Sequence, residues 1–417
     1  MRRTYLTIIL FLVANLLFAQ NKNVQSLQKW LENGNGKIEN QKFATKPLKN
    51  LEDAQLAAEL IYAKKAEKLR KQFSRDWDEK KFTYGDYVMN FDYKIFGNEP
   101  KDGRSLFISM HGGGNTKPEV NDQQWKNQVA LYSPKEGIYV APRAAVDDWN
   151  MWFQPHIDVL FNNIIISAIA FKNVDPNKVY IMGYSAGGDG VYRLATRMAD
   201  RWAAAAMMAG HPGDVSPLNL RNIGFSLWMG GNDGAYNRNK EAERFGDLLD
   251  SLAYADPGHY WHDVNIIAGK GHWMDRADSV ALKWMSKFRR NPYPQKIVWK
   301  QDEVIKDNFY WLFVSKQEAK KGNEVIVECK NNTITIIKND YSFLEIGLND
   351  ELIDFSKPVT VMYNGNRIFK GSLYRTIEKI YKSIEIRGDP ASVFSATISV
   401  VNNEKVLSNQ IISSLFY

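Results

Sequence analysis

One serine stands in a sequence context typical of nucleophilic catalysis. Ser185 is the centre of Gly-Tyr-Ser-Ala-Gly at 183–187, which follows the apolar run 179–182 and precedes a predicted helix. A sharp turn between a strand and a helix exposes a serine hydroxyl, and the two glycines keep Cβ atoms out of the crowded turn. The serine would also lie at the positive end of the helix dipole. We therefore expect Ser185 to be a nucleophile.

A glycine-rich loop upstream complements this serine. His-Gly-Gly-Gly at 111–114 directly follows the apolar run 105–110. In strand–turn–helix hydrolases such a loop contributes one backbone N–H to the hole that binds a developing oxyanion, and the residue after the nucleophile contributes the other. The sequence therefore predicts an oxyanion hole formed by the N–H groups of Gly113 and Ala186.

A serine nucleophile needs a general base, which follows it in the chain in this type of fold. The chain has six histidines, at positions 111, 156, 211, 259, 262 and 272. His272 follows the predicted strand 264–268 and so lies at the carboxyl edge of a parallel sheet, where ligands bind. His259 and His262 precede that strand and lie at its other end. We expect His272 to be the base.

Two aspartates compete for the third position. Asp233 follows the buried run 225–229, which is the second predicted strand after the nucleophile. A carboxylate there can reach a histidine on the last strand and fix its tautomer. Asp214 follows the intervening strand 203–208 and is the alternative. We expect Asp233 to be the acid, and Asp214 remains the alternative because the sequence does not show which carboxylate reaches the histidine.

Tryptophans near these positions could form a substrate wall. Trp149 and Trp152 follow the fourth core strand, and Trp273 stands beside the predicted base. Aromatic rings at such an edge can bind a sugar or aryl group. The sequence fits equally well an alternative in which these rings belong to ordinary packed loops.

The elements that would position these residues follow an alternating rhythm. Short apolar runs near 105–110, 137–140, 179–182, 203–208, 225–229 and 264–268 alternate with amphipathic segments. Strands alternating with helices of 10–15 residues predict a mostly parallel sheet with helices on both faces. We assign this α/β domain to residues 82–290.

Beyond the linker-like Asn-Pro-Tyr-Pro at 291–294 the pattern changes to about seven short predicted strands. Asn-Gly at 364–365 favours a tight hairpin. One predicted strand covers 383–386. We therefore expect residues 291–417 to form an all-β sandwich module. The single cysteine, Cys329, would be a small buried side chain there, and it excludes an internal disulfide framework and a CxxC redox site.

The N-terminal part divides into two segments. Two arginines precede the apolar run 6–18, which is too short to span a bilayer and closes with Ala-Gln. We expect residues 1–19 to be a cleaved signal peptide and the protein to be periplasmic or extracellular, without stable insertion in a membrane. Residues 20–81 form a predicted helical segment, with apolar side chains at steps of three and four over 48–81.

These motifs together resemble the α/β-hydrolase superfamily. Strand-HGGG, G-x-S-x-G-G and then Asp and His in that order carry the resemblance, which covers residues 82–290. Within the superfamily, Val-Asp-Pro-Asn-Lys-Val at 174–179 is similar to secreted esterases related to polyhydroxybutyrate depolymerases and to feruloyl and acetylxylan esterases. Depolymerases of that group carry disulfides, which this chain cannot form, so the resemblance implies no polymer specificity.

The resemblance implies hydrolysis of carboxylic esters through an acyl-enzyme, with no cofactor and no metal. The ester would be a small molecule or be linked to a polysaccharide. A serine peptidase similar to prolyl oligopeptidases is the enzymatic alternative, and an inactive scaffold with a glycan-binding β module is the non-enzymatic one. A net charge of +7 over 417 residues, without long runs of like charge, does not favour a nucleic-acid partner. The sequence leaves the oligomeric state open.

Overall fold

The computed structural model describes residues 21–34 and 36–408. Two helices open this part of the chain, α1 over Lys22–Asn33 and α2 over Leu51–Asp78. The cap of α2 is Asn50, whose side chain accepts a hydrogen bond from a first-turn N–H and so satisfies one donor that the helix leaves free. The predicted signal peptide lies outside the described residues.

The helix α2 is long, with an apolar face that continues for about seven turns. It can therefore pack against α1 with one half and against the central sheet with the other. Its first half packs beside α1, whereas Leu69, Phe73 and Trp77 join the core of the central sheet. The indole N–H of Trp77 donates to the hydroxyl of Ser167 at 2.9 Å. No helix in the described ranges is both long enough and apolar enough to cross a membrane.

The centre of the fold is a sheet to which eight strands of the described residues contribute. They are β1 (Lys81–Tyr84), β2 (Tyr87–Phe96), β3 (Arg104–Met110), β4 (Gly137–Pro142), β5 (Val174–Tyr184), β6 (Ala204–Met208), β7 (Gly224–Gly230) and β8 (His262–Ile267). Their order is β1-β2-β4-β3-β5-β6-β7-β8. Strands β3 to β8 are parallel, and the β1–β2 hairpin adds antiparallel to β4. The carboxyl ends of the parallel strands therefore meet at one edge.

Helices cover both faces of this sheet. They are α3 (Pro118–Leu131), α4 (Pro155–Phe171), α5 (Ala186–Arg197), α6 (Arg238–Ala255) and the short α7 (Ala281–Met285). Alternate residues of one strand enter opposite cores: Leu106 and Ile108 pack with α4 and α5, whereas Phe107 packs with α3 and α7. Burial on both faces explains why the inner strands β3 to β7 are largely apolar runs.

Two further sheets follow in the chain. The strands are β9 (Lys296–Lys300), β10 (Asn308–Phe309), β11 (Leu312–Val314), β12 (Glu324–Lys330), β13 (Thr333–Asn339), β14 (Phe343–Leu348), β15 (Val359–Tyr363), β16 (Asn366–Gly371), β17 (Ala396–Val401) and β18 (Lys405–Ser408). One sheet has the order β10-β11-β14-β17-β18 and the other β16-β15-β13-β12-β9. Both contribute to one continuous core, and Cys329 of β12 is buried in it.

The expectation of an all-β module is wrong in one element. Residues 383–386 do not form a strand but lie in helix α8, Ile377–Arg387. Thr376 caps this helix, and Gly388 ends it in a left-handed conformation. Its isoleucines recur at steps of three and four and pack against α1 and α2. The β-branched residues suggested a strand, but the helical spacing and the two end signals prevail.

Candidate active site

The turn between β5 and α5 holds Ser185 in an unusual backbone conformation. Its φ is 57° and its ψ is −121°, a region that costs a non-glycine residue about 1–3 kcal/mol. The Ser185 N–H donates to the carbonyl of Met208 on the neighbouring strand at 2.9 Å, which helps to hold the turn. A Cβ on Gly187 would lie 2.2 Å from the carbonyl oxygen of Met110, so only glycine fits there. This packing supports the strain that exposes the serine.

Three predicted side chains meet at the carboxyl edge of the sheet. His272 Nε2 lies 2.9 Å from Ser185 Oγ, and His272 Nδ1 lies 2.7 Å from Asp233 Oδ2. Asp233 is almost completely buried, so its carboxylate is shielded from water, while the imidazole is half-exposed. With Nδ1 carrying the proton that Asp233 accepts, Nε2 is free to take the proton of the serine hydroxyl.

The alternative acid, Asp214, is used elsewhere. Its carboxylate forms ion pairs with Arg193 at 2.5 Å and with Lys321 of the C-terminal part at 2.6 Å. These two cations lower its pKa to about 2. The structure therefore brings Asp233, and not Asp214, to the histidine.

Two neighbours fix the loops of the base and the acid. The hydroxyl of Tyr184 donates to the carbonyl of His272 at 2.6 Å and accepts from the N–H of Met274 at 3.2 Å. Arg238 Nη1 lies 3.6 Å from Asp233 Oδ1, the oxygen that faces away from the imidazole. Neither residue was found by sequence reasoning, although Tyr184 directly precedes the nucleophile.

The glycine loop 111–114 lies against the nucleophile. A Cβ on Gly112 would be 3.1 Å from Ser185 Cβ, and Gly113 has a φ of 107°, which other residues rarely adopt. The side chain of the buried Asn121 accepts from the Gly114 N–H at 2.9 Å and donates to Asp147 at 2.6 Å. This amide, on helix α3, sets the path of the loop and was not found from the sequence.

The imidazole of His111 anchors the same loop from behind. Its Nε2 accepts a hydrogen bond from the Ala144 N–H at 3.1 Å, so its Nδ1 carries the proton and donates to the carbonyl of Gly112 at 2.6 Å. Burial lowers the pKa of His111 to about 4, which keeps the ring neutral. The role of this histidine is therefore structural.

Two clefts open on either side of Ser185, and Gly113 borders both. The Asp189 cleft, of ≈ 430 Å³, is lined by side chains from four loops and from helix α5, among them Trp149, Phe153, Asp189, Arg193, His211, Tyr236 and Arg238. The Trp273 cleft, of ≈ 440 Å³, is lined by Gln124, Asn127, Gln128, Leu131, Tyr184, His272 and Trp273. Ser185 thus stands between two clefts of similar volume.

The three predicted wall tryptophans have different surroundings. Trp149 is 65% exposed in the Asp189 cleft, and Trp273 is 50% exposed in the Trp273 cleft. Trp152 corrects the expectation, because it is 0% exposed and its indole N–H donates to the carbonyl of His111 at 2.8 Å. It is a core side chain that supports the glycine loop and does not reach a substrate.

The charged lining of the Asp189 cleft is the main feature that sequence reasoning missed. Asp189 lies one helical turn after Ser185, which is a signal the sequence offered. Arg193 follows one turn later, whereas Tyr236 lies in the loop before helix α6 and Arg238 begins that helix, and only the fold determines their position. Within the described residues no three His, Cys, Asp or Glu side chains are grouped so that they could hold a metal ion.

Comparison with known proteins gives a partial sequence match to a protein named as a putative esterase. No family profile matches the chain. The chain is 29% identical over 126 residues to a protein named "Putative esterase NocK" from Nocardia uniformis subsp. tsuyamanensis, a match that covers 28% of this chain and 37% of the relative. The chain thus spans little more than a third of that relative's length.

Two solved structures superpose on about half of this chain. A thermostable esterase superposes with a TM-score of 0.37 at 18% identity, covering 50% of this chain and 62% of that one. An acetyl xylan esterase from Aspergillus awamori gives a TM-score of 0.33 at 13% identity, covering 47% and 93%. Over 28% of its length, this chain is thus similar in sequence to a protein named as a putative esterase.

Proposed function

We propose that this protein is a serine hydrolase of carboxylic esters with an α/β-hydrolase domain. The proposal depends on the continuous hydrogen-bonded series from Asp233 through His272 to Ser185, at 2.7 and 2.9 Å. A hydroxyl is a weak nucleophile at neutral pH unless an adjacent base takes its proton. The similarity to a protein named as an esterase supports the same reaction class.

In the proposed reaction, His272 takes the proton of Ser185 while Oγ attacks the ester carbonyl. The N–H groups of Ala186 and Gly113 bind the resulting oxyanion, and each such donor contributes roughly 10²–10³ in rate. Asp233 holds the imidazole in the required tautomer and stabilises the imidazolium. His272 then gives its proton to the leaving alcohol, and a water molecule hydrolyses the acyl-enzyme by the same steps.

Covalent labelling tests this proposal most directly. A fluorophosphonate probe reacts with serines that a neighbouring base activates, so wild-type protein should be labelled and the variants Ser185→Ala and His272→Ala should not. The three proteins should be compared on 4-nitrophenyl acetate and on a peptidyl 4-nitroanilide. Cleavage of the anilide at the higher kcat/KM would identify a peptidase instead, and absence of labelling in folded wild-type protein would indicate an inactive scaffold.

We also propose that the chain is exported and loses residues 1–19, and that the two C-terminal sheets form a β-sandwich appendage that includes helix α8. The signal-like sequence at the N-terminus and the common core of the two sheets support these proposals. Intact-mass measurement of the protein secreted or released from the periplasm would test the cleavage. A mass that includes residues 1–19 would contradict it.

A further inference from the structure

We propose that the Asp189 cleft binds the acid half of the ester and that this acid is a hydroxylated ring of the size of a hexuronic acid. The inference depends on the proposed ester hydrolysis and adds the class of substrate. It follows from the position of the cleft relative to the base, from the pairing of its charged side chains and from its exposed aromatic ring.

The position of His272 assigns the two clefts to the two halves of the substrate. The imidazole must deliver its proton to the leaving oxygen, so the alcohol lies on the side that His272 borders, which is the Trp273 cleft. The acyl group then occupies the other side. The Asp189 cleft borders Ser185, Ala186 and Gly113 but not His272. Its ≈ 430 Å³ lies in the range of pockets for drug-sized ligands and far exceeds an acetyl group.

The polar groups of this cleft suit hydroxyl groups. Asp189 Oδ1 accepts from the His211 N–H at 2.6 Å, and among the residues that the structure describes Oδ2 has no hydrogen-bond partner. The free acceptor of Asp189 matches a ligand hydroxyl, which donates one hydrogen bond and accepts others.

The arginines of the cleft are paired with carboxylates, which disfavours an anionic ligand. Arg193 pairs with Asp302 at 3.0 Å and with Asp214 at 2.5 Å, and Arg238 lies 3.6 Å from Asp233. A free carboxylate would therefore meet no uncompensated cation. A uronic acid whose only carboxyl group is esterified is neutral and carries several hydroxyls, so it satisfies the polar groups without adding charge.

An exposed aromatic ring completes the fit. Trp149 is held edge to face against Phe153 at 5.4 Å, while most of its own surface remains open to the cleft. A sugar ring presents an apolar C–H face that can lie on such an indole while its hydroxyls point to the polar groups. The position of this ring in the cleft beside Ser185 favours a role in binding.

The proposal can be tested with two esters that share one alcohol. The methyl ester of methyl α-glucopyranosiduronic acid carries ring hydroxyls, and methyl cyclohexanecarboxylate has a similar ring without them. We expect kcat/KM to be at least tenfold higher for the uronate ester. Asp189→Asn and Trp149→Ala should each lower the ratio of the two kcat/KM values at least fivefold. Trp261→Ala, at an exposed tryptophan outside both clefts, is the matched control and should leave the ratio unchanged.

The outcomes separate this inference from the proposed function. A ratio near one, or a ratio that Asp189→Asn does not change, would overturn the uronate proposal while hydrolysis of 4-nitrophenyl acetate still stands. Failure of wild-type protein to bind the fluorophosphonate probe or to cleave any ester would instead overturn the proposed function. Circular dichroism of each variant shows that a lost preference does not come from unfolding.

Discussion

At the scale of single residues, the acid of the triad is the position at which two candidates can be compared directly. Asp233 Oδ2 contacts the imidazole of His272, whereas Asp214 forms ion pairs at the surface. Asp233→Asn should lower kcat/KM by roughly 10³–10⁴ because the amide no longer fixes the tautomer. Asp214→Asn should change it by less than about tenfold, since exposed ion pairs contribute little. Steady-state kinetics on 4-nitrophenyl acetate measures both, and the reverse ranking would assign the acid to Asp214.

The carboxyl of Asp189 should destabilise the fold at neutral pH. Burial raises its pKa to about 6, above roughly 3.9 in an unfolded chain, so the folded state binds this proton more tightly. The folded state therefore loses stability as the pH rises from about 4 to about 6. Asp189→Asn removes this penalty, and we expect its unfolding free energy to exceed that of the wild type by up to about 3 kcal/mol at pH 8.

Urea unfolding of both proteins at pH 8 and at pH 4 measures this difference. At pH 4 the two free energies should lie within about 1 kcal/mol, because the wild-type group is then protonated in the folded state and still about half protonated in the unfolded state. A variant less stable than the wild type at pH 8 would contradict the prediction. A buried carboxylate beside Ser185 that lowers the unfolding free energy is typical of a functional site, where activity and stability conflict.

The amide of Asn121 should matter for catalysis although it touches no reacting atom. Asn121→Ala leaves the Gly114 N–H without its partner and removes one of the two donors to Asp147 Oδ1, which costs about 1–3 kcal/mol. Because the glycine loop then loses its support, we expect kcat to fall at least about tenfold, as for displacement of one oxyanion donor. Gln123→Ala, exposed on the same helix, is the control. Unchanged kcat in a folded Asn121→Ala protein would show that the loop is held by other contacts.

At the scale of elements, the connection from β5 to α5 permits only glycine at its crowded positions. A Cβ on Gly187 would lie 2.2 Å from a backbone oxygen of β3, whereas a Cβ on Gly234 meets nothing within 4 Å. Gly187→Ala should therefore abolish labelling of Ser185 and lower the thermal midpoint by several degrees, and Gly234→Ala should do neither. Differential scanning fluorimetry and probe labelling measure the two effects. Normal labelling of Gly187→Ala would mean that the turn can widen.

The helices and strands differ in how well the sequence predicts them. The inner strands β3 to β7 of the central sheet were predictable because both their faces are largely buried and their runs are mostly apolar. Helix α8 was not, since its isoleucines fit a strand locally and only packing on α1 and α2 favours the helix. Helix α3, which carries Asn121, has a mostly polar sequence whose role depends on its place over the glycine loop.

At the scale of the whole molecule, a buried ion cluster joins the central sheet to the C-terminal part. Asp389 lies 2.7 Å from Arg290, and Arg387 donates to Asp200 at 2.7 Å. Arg201 contributes a third guanidinium. Burial opposes ionisation of Asp389, but the arginines outweigh it and lower the pKa of this carboxyl.

Breaking this cluster should destabilise the entire chain. Asp389→Ala leaves buried guanidinium groups without their counter-ion, and we expect a loss of about 3–5 kcal/mol of unfolding free energy. Glu67→Ala, at an exposed ion pair of α2, is the control and should leave the urea midpoint unchanged. A single transition shifted to lower urea is the expected result. Two separate transitions in the wild type would show that the C-terminal part unfolds independently.

The sequence by itself determined the chemistry at the edge of the sheet. The order of the glycine loop, Ser185 and His272, each after an apolar run, was enough to predict that these residues meet at one edge, because parallel strands bring their carboxyl ends together. Local patterns also predicted the central sheet and most of its helices. These motifs and elements depend on residues close together in the chain, so their patterns can be recognised in the sequence.

Only the tertiary structure decided what surrounds that chemistry. Whether Trp152 lines a cleft or fills the core, whether Asp214 or Asp233 reaches the base, and which charges line the Asp189 cleft all depend on side chains from loops distant in the chain. Such contacts produce no periodic pattern in the sequence. Each loop is a short segment, and the packing of whole helices and strands decides which other loop it contacts. The substrate-binding surface is therefore a property of the fold, while the reacting groups are already visible in the chain.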